Sequence, residues 1–175
     1  MQIENGRGAF VTEKAVSYKI DKRTRSLESM VRSDHDMVVK MLKTARIEAE
    51  PDVARALGLT LGADVWILDS LSTIDKKPAI SARHSFPADP FPYLGERYRK
   101  ARSITATLKT YGVESTRKSM LISARLAELA DLNLPKLNWP ASVLCTESLY
   151  VDQEGQSVIH GVSRFAGERM ELQFD

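Results

Sequence analysis

Three histidines and one cysteine, with a few clusters of serine and arginine, are what this chain offers for specialised chemistry. His35, His84 and His160 lie far apart, and none has a second His or Cys at a metal-ligand spacing. A zinc centre would need every ligand from a different part of the chain, so no metal is expected. Cys145 lies in an apolar run and reads as an inert core thiol. A G-x-S-x-G elbow, a phosphate-binding glycine loop and a dinucleotide fingerprint are all missing, so no cofactor and no catalytic residue is expected either. Binding chemistry remains. An imidazole donates to an anion and a hydroxyl both donates and accepts. His84 follows Ile80 and Ala82 and precedes Phe86 at every second position, while Ser70 and Ser72 share the parity of Trp66 and Leu68. On two facing strands, Ser70, Ser72 and His84 would look into one concave space. A histidine on an apolar face also serves as a hydrogen-bonded core residue, and both readings stand at this level.

Two helix starts supply further candidates. After Val16 to Ile20, Leu27, Met30 and Val31 have the spacing of one helix face, with Thr24 or Ser26 as cap and Arg23 and Arg25 beside its first turn. Free backbone N–H groups and the helix dipole favour an anion there, although exposed arginines are common on any surface. A second helix is expected from Ser103 as N-cap, with Ile104, Leu108 and Tyr111 facing in and Gly112 ending it. Ala106 stands where a capping box needs Glu or Gln, so Ser103 caps alone.

The elements that position these residues alternate with a period of two. Val65 to Pro87 reads as a hairpin turned at Asp75-Lys76-Lys77-Pro78, with Ser81, Arg83 and Ser85 on the side opposite His84. His35 to Ala49 reads as a long strand with Met37, Val39 and Met41 on one face and Val38, Leu42 and Thr44 on the other. Pro51 opens a short helix that Gly58 closes, Tyr93 to Lys100 reads as another, and Leu126 to Leu132 as a third. Ser115 to Ala124, with Met120, Ile122 and Ala124 inward, Ser142 to Val151, Gln156 to Phe165, and Met170 to Phe174 complete the strands. Asp152-Gln153-Glu154-Gly155 joins two of them as a hairpin turn. Asn5-Gly6 is also a hairpin signal. The pattern predicts an α+β domain, a largely antiparallel β-sheet with covering helices.

At 175 residues the chain suits one domain with a substantial core. A formal charge of +2 shows no bias toward nucleic acid. A lone cysteine excludes an internal disulfide, and with no apolar run of membrane-spanning length and no signal pattern, the chain reads as cytoplasmic with no membrane partner.

Gly6-Arg7-Gly8-Ala9-Phe10-Val11 resembles the end of the wing in the winged helix-turn-helix of GntR-superfamily repressors. The chain beyond Val11 is similar to the effector-binding UTRA domain of the HutC subfamily, and most of all to its phosphonate-utilisation regulators. That resemblance is carried by Arg23-Thr24-Arg25, by Arg83-His84 with Phe86-Pro87, by Arg102-Ser103-Ile104-Thr105, by Thr146-Glu147-Ser148 and by Ser163-Arg164-Phe165. It implies a chorismate-lyase-like fold and residues 1–14 as a remnant of the DNA-binding domain and linker. Residues 15–175 are then an effector-binding and dimerisation domain. It further implies a homodimer, a small anionic effector such as a phosphonate or phosphate ester, and operator DNA bound only through an N-terminal reader.

The resemblance also implies a site. In members that sense amino-sugar phosphates an Arg-x-Arg pair on the outgoing hairpin strand holds the phosphate, and here Ser70 and Ser72 stand in its place. Ser103, followed by Ile104 and Thr105, matches the helix start that completes that grip. A sugar-gripping glutamate aligns with Ala82. Positive charge is then left to Arg23 and Arg25, with Ser26 beside them, and to Arg83 or His84, of which parity favours His84. His160 and Phe165 correspond to pocket-lining positions, yet a regular strand cannot turn both to one face. The alternative is a small chorismate-lyase-like enzyme acting on a carboxylate substrate, which would grip it with a buried arginine and glutamate. The incomplete wing favours the regulator.

Overall fold

The computed structural model describes residues 2–3, 9–10, 16–20, 36–128 and 141–174. Two short strands, β1 (Gln2–Ile3) and β2 (Ala9–Phe10), pair antiparallel. Next come β3 (Val16–Ile20) and β4 (Met37–Glu48), then helix α1 (Pro51–Leu57) and the hairpin strands β5 (Asp64–Ile74) and β6 (Lys77–Pro87). Helices α2 (Leu94–Ala101) and α3 (Ile104–Lys109) precede β7 (Thr116–Leu126), β8 (Ser142–Val151), β9 (Ser157–Ala166) and β10 (Met170–Phe174). Six strands form one sheet in the order β4-β5-β6-β9-β8-β7, every pair antiparallel, while β10 pairs with β3 in parallel. The α+β class expected from alternation is the one observed.

The central hairpin turns on Asp75 and Lys76, whose φ angles are both positive at 49° and 65°. That matches the twist of the flanking strands, but left-handed backbone costs roughly 1–2 kcal/mol per non-glycine residue. Asp75 offsets part of the cost through Asp36: its N–H donates to the Asp36 carbonyl at 2.8 Å and its Oδ1 accepts the Asp36 N–H at 3.0 Å. The turn and the start of β4 therefore fix each other.

The two faces of the sheet differ in covering and in chemistry. Trp66, Leu68, Ser70, Ser72, Ile80, Ala82, His84 and Phe86 lie on one, and Ile67, Asp69, Leu71, Ser81, Arg83 and Ser85 on the other, by the register of β5 and β6. On the His84 face, α2 and α3 close one end over Leu68, Phe86, Phe91, Leu94, Leu108 and Ile159. Phe91 bridges that cluster edge to face, 6.4 Å from Phe86 and 5.2 Å from Tyr111. At the other end β3 and β10 pack with Ile80 and Phe165 through Ile20 and Met170. On the Arg83 face, α1 buries Ala54 and Leu57 against Val65 and Ile67.

Local irregularities correct three expectations. A β-bulge between Met41 and Lys43 flips the parity of β4. Thr44 therefore pairs with Leu68 on the His84 face, and does not share the face of Val38 and Leu42. Its methyl carbon would lie 2.6 Å from a Cβ at Gly95, so only glycine lets α2 seat there. Leu126, expected to begin a helix, is the last residue of β7, where the ladder still pairs it with Ser142; residues 129–132 of that expectation lie outside the described residues. Ala124 is exposed although Met120 and Ile122 are half-buried, because β7 is an edge strand and its end outruns the cluster. Among the described residues no helix is long and apolar enough to cross a membrane.

Candidate ligand-binding site

Adjacent strands hold their residues in register, so the middle of the His84 face can be read row by row. One row runs Met41, Ser70, Ala82, Ser163, Thr146, Ile122 across all six strands. The next runs Thr44, Leu68, His84, Gly161, Ser148, Met120, and the one on the other side runs Val39, Ser72, Ile80, Phe165, Leu144, Ala124. Small hydroxylated residues thus fill the centre of a face whose two ends are apolar clusters. Ser70, Ser72, Thr146 and Ser148 are buried, at 5%, 1%, 4% and 5% exposure. No hydrogen bond to another described residue consumes their hydroxyls, and their oxygens are not among the sealed polar atoms without a partner.

His84 has its place because its neighbour on β9 is a glycine. A Cβ at Gly161 would lie 3.0 Å from His84 Cδ2 and 3.4 Å from Nε2, so the imidazole occupies the space a side chain there would fill. Among the described residues of these three rows His84 is the one titratable group. Ser103 caps α3 as expected, its Oγ accepting the Ala106 N–H at 3.2 Å, with Ile104 packed against the α2/α3 cluster and Thr105 half-buried beside it. The helix ends at Lys109, with Gly112 beyond it at φ +74°.

The Arg83 face is charged and open. A cleft of about 850 Å³ lies between α1 and strands β5, β6, β8 and β9. Arg55 and Arg83, two of the arginines that line it, are engaged by carboxylates. Arg83 donates from Nε and Nη2 to the two oxygens of Asp69 at 2.7 and 2.8 Å, with Glu50 3.9 Å from its Nη1. That grip raises the Arg83 pKa further above its ordinary value, against the opposing pull of burial. His160, 6% exposed, lies with Nε2 2.8 Å from Glu147 Oε1. A guanidinium already forked onto a carboxylate is a poor receptor for a second anion.

The sequence-derived residues therefore separate. Ser70, Ser72 and His84 come together on one face, with Phe165 in the next row as a buried core residue beside Ile80. Arg83, left open against His84, points to the opposite face, and so does His160, which pairs with Ser85. His160 therefore does not line the His84 face together with Phe165, because β9 keeps strict alternation between them. Arg23, Arg25 and Ser26 lie outside the described residues. Cys145 is half-buried, not a core thiol, at the margin of a small cluster around Val143 and Ala166 on the Arg83 face. Thr146, Ser148 and Ser163 are visible in the sequence only as parts of short motifs; the signal that places them is their pairing with β6, which depends on long-range register. Among the described residues no group of three or more His, Cys, Asp or Glu side chains could hold a metal ion.

Comparison with known proteins adds the lineage. The UTRA domain family model matches residues 32–171. A Rhizobium meliloti (strain 1021) protein, named as the uncharacterized HTH-type transcriptional regulator RB1450, is 33% identical over 172 residues, which are 97% of this chain and 70% of that protein. Among solved structures, the effector domain of PhnF from Mycobacterium smegmatis superposes with a TM-score of 0.82 at 19% identity, covering 91% of this chain and 98% of that one. PhnF from the same organism superposes at 0.84, also at 19% identity, over 99% of this chain and 76% of its own. At such identity the likeness shows the fold, an antiparallel sheet with few helices of the chorismate-lyase-like kind.

Proposed function

The chain belongs to the UTRA domain family and is homologous to HTH-type transcriptional regulators, and from that premise we propose that it is the effector-sensing and dimerisation domain of a GntR/HutC-type repressor. Its effector is a small anionic metabolite, a phosphonate or phosphate ester, held on the His84 face by Ser70, Ser72 and His84, with Ser103 at the start of α3. Arg23, Arg25 and Ser26 add positive charge and a cap from the segment after β3. Residues 1–14 are the remnant of a winged-helix reader and its linker, through which a cytoplasmic homodimer contacts operator DNA. The mechanism is linkage: an effector that favours one arrangement of the dimer shifts the population and with it the half-site spacing of the readers.

The observation that carries this reading is the polar centre of the His84 face in a chain of this family. A purely structural sheet would fill those positions with apolar side chains, since a buried hydroxyl without a partner costs stability. An enzyme gripping a carboxylate is the weaker reading. The three central rows hold no carboxylate and no guanidinium among the described residues, so the arginine and glutamate with which such an enzyme would grip its substrate are not brought together there.

Calorimetry of methylphosphonate against the wild-type chain and His84→Ala tests the site, with affinity lost in the variant; equal affinities remove His84 from it. The chain by itself binds no operator, and sub-micromolar sequence-specific binding by these 175 residues would contradict the division of labour.

A further inference from the structure

We infer that Arg169 is a positioning residue that couples the central hairpin to β3, so that a shift of the hairpin reaches the strand that follows the N-terminal segment. The inference rests on the effector-sensing function proposed above and deepens it, by naming a route from the polar floor of the His84 face toward the reader. Its first support is that one residue is held at three points. Arg169 lies in the turn between β9 and β10, where its N–H donates to the Ala166 carbonyl at 2.9 Å. Its own carbonyl accepts the Val16 N–H at 2.8 Å, and its Nη1 donates to the Pro78 carbonyl at 2.9 Å. The turn itself has little freedom. The Gly167 N–H donates to the Ser142 carbonyl at 2.9 Å, and a Cβ at Gly167 would lie 2.8 Å from that carbonyl oxygen. The Arg169 side chain is 21% exposed, so water weakens its charge-assisted bond to Pro78 only in part.

The second support is where those points lie. Val16 opens β3, which pairs with β10 over five residues, and in the proposed division the reader and its linker end at residue 14. Pro78 lies near the tip of the central hairpin, beyond the register shift between Ser72 and Thr73. Such a shift interrupts the regular ladder, and Arg169 ties the tip past it to β3 and β10. The same tip packs against them, since Ile74, Ala79 and Ile80 share one buried cluster with Ile20 and Met170. Ile80 in turn pairs with Ser72, a residue of the proposed effector floor. Apolar contacts are non-directional, whereas the hydrogen bonds of Arg169 fix where the tip and Val16 stand relative to each other. An effector that shifts the hairpin at Ser72 thereby biases the start of β3.

Amide hydrogen exchange at Val16, followed by NMR on the 175-residue chain, reads the coupling. Arg169→Met keeps the apolar stem and the backbone carbonyl that receives the Val16 N–H, and removes the guanidinium alone. Loss of that charged hydrogen bond should speed Val16 exchange about tenfold or more, with the amides around Ile159, at the far end of β9, unchanged. Asp75→Ala removes the carboxylate that holds the hairpin turn to Asp36. With Arg169 in place it should speed Val16 exchange about threefold or more, and in the Arg169→Met background it should add nothing. Val16 exchange unmoved by Asp75→Ala overturns the inference, with no change at Arg169 needed. Equal acceleration by Asp75→Ala in both backgrounds overturns it too, because the signal then bypasses the guanidinium. An acceleration by Arg169→Met that extends equally to Ile159 also overturns it, because Arg169 then supports only global stability. Saturating methylphosphonate should slow Val16 exchange in the wild type and not in Arg169→Met. Binding without that slowing overturns the coupling and leaves the effector site standing. Absence of binding overturns the effector site, while the Asp75→Ala cycle still decides the role of Arg169.

Discussion

Gly161→Ala separates the fit of His84 from the stability of the sheet. The added methyl would lie 3.0 Å from His84 Cδ2, against a comfortable carbon–carbon separation of about 3.5–4.0 Å. The imidazole must therefore move by roughly half an ångström or rotate. Alanine is better than glycine in a strand by about 0.5–1 kcal/mol, and crowding of this kind costs about 1–3 kcal/mol, so net stability should fall by no more than about 2.5 kcal/mol. Affinity should fall further. A hydrogen bond between a charged group and its partner contributes about 1.5–3 kcal/mol, and its loss weakens binding by roughly 10- to 150-fold. Calorimetry with methylphosphonate reads the affinity and urea unfolding reads the stability. Because both substitutions act through one imidazole, Gly161→Ala should add nothing once His84 is alanine, a coupling that the double-mutant cycle measures. Unchanged affinity in Gly161→Ala, or additive losses in the double variant, would show that the glycine does not act through His84.

The remaining predictions concern the other face and the helical cap. Arg83→Gln removes the forked contact to Asp69, and with the Arg83 side chain 42% exposed the loss should be about 1 kcal/mol in urea unfolding; effector affinity should not change, and a tenfold loss would place the ligand on the wrong face here. Ser103→Ala should cost about 1 kcal/mol of stability as a lost N-cap, with a drop in phosphonate affinity beyond that of an inert surface control. Tyr111 donates its phenol to the Pro92 carbonyl at 2.6 Å, and burial pushes its pKa up although Arg97 over the ring opposes this. A raised folded-state value means that its contribution is complete below the unfolded tyrosine pKa of about 10 and is lost as pH rises through the folded value. Tyr111→Phe should flatten the decline in stability above about pH 10, and equal slopes for both proteins would contradict it.

Most of the architecture is legible in the sequence because its strands alternate cleanly. His84 and Ser70 are each placed by the apolar neighbours that share their parity, and Arg83 is set against His84 by alternation along its own strand; a count through the turn would miss the register shift between Ser72 and Thr73, and His160 is placed only by its pairing with Ser85. Bulges defeat that count: one extra residue after Met41 moves Thr44 across the sheet, and nothing local in Met41-Leu42-Lys43 marks it. The polar floor is legible only in its near half, since Ser70 and Ser72 lie on the hairpin that holds His84. Thr146, Ser148 and Ser163 join them through pairings that span the length of the chain, from β5 and β6 to β9 and β8. Leu126 escapes a local reading because a short apolar run fits a helix start and a strand end equally well, and the partner that decides it is Ser142.

Everything proposed for binding depends on the effector lying on the face of His84 and not in the cleft beside Arg83. Titrating the isotope-labelled chain with methylphosphonate, and following backbone amides and side-chain methyls by NMR, distinguishes the two faces. Shifts should cluster at Ser70, Ser72, His84, Gly161 and the start of α3, with Arg83, Val162 and Arg164 unmoved. Shifts gathered around Arg83, His160 and α1, or no shifts at saturating ligand, would contradict that placement.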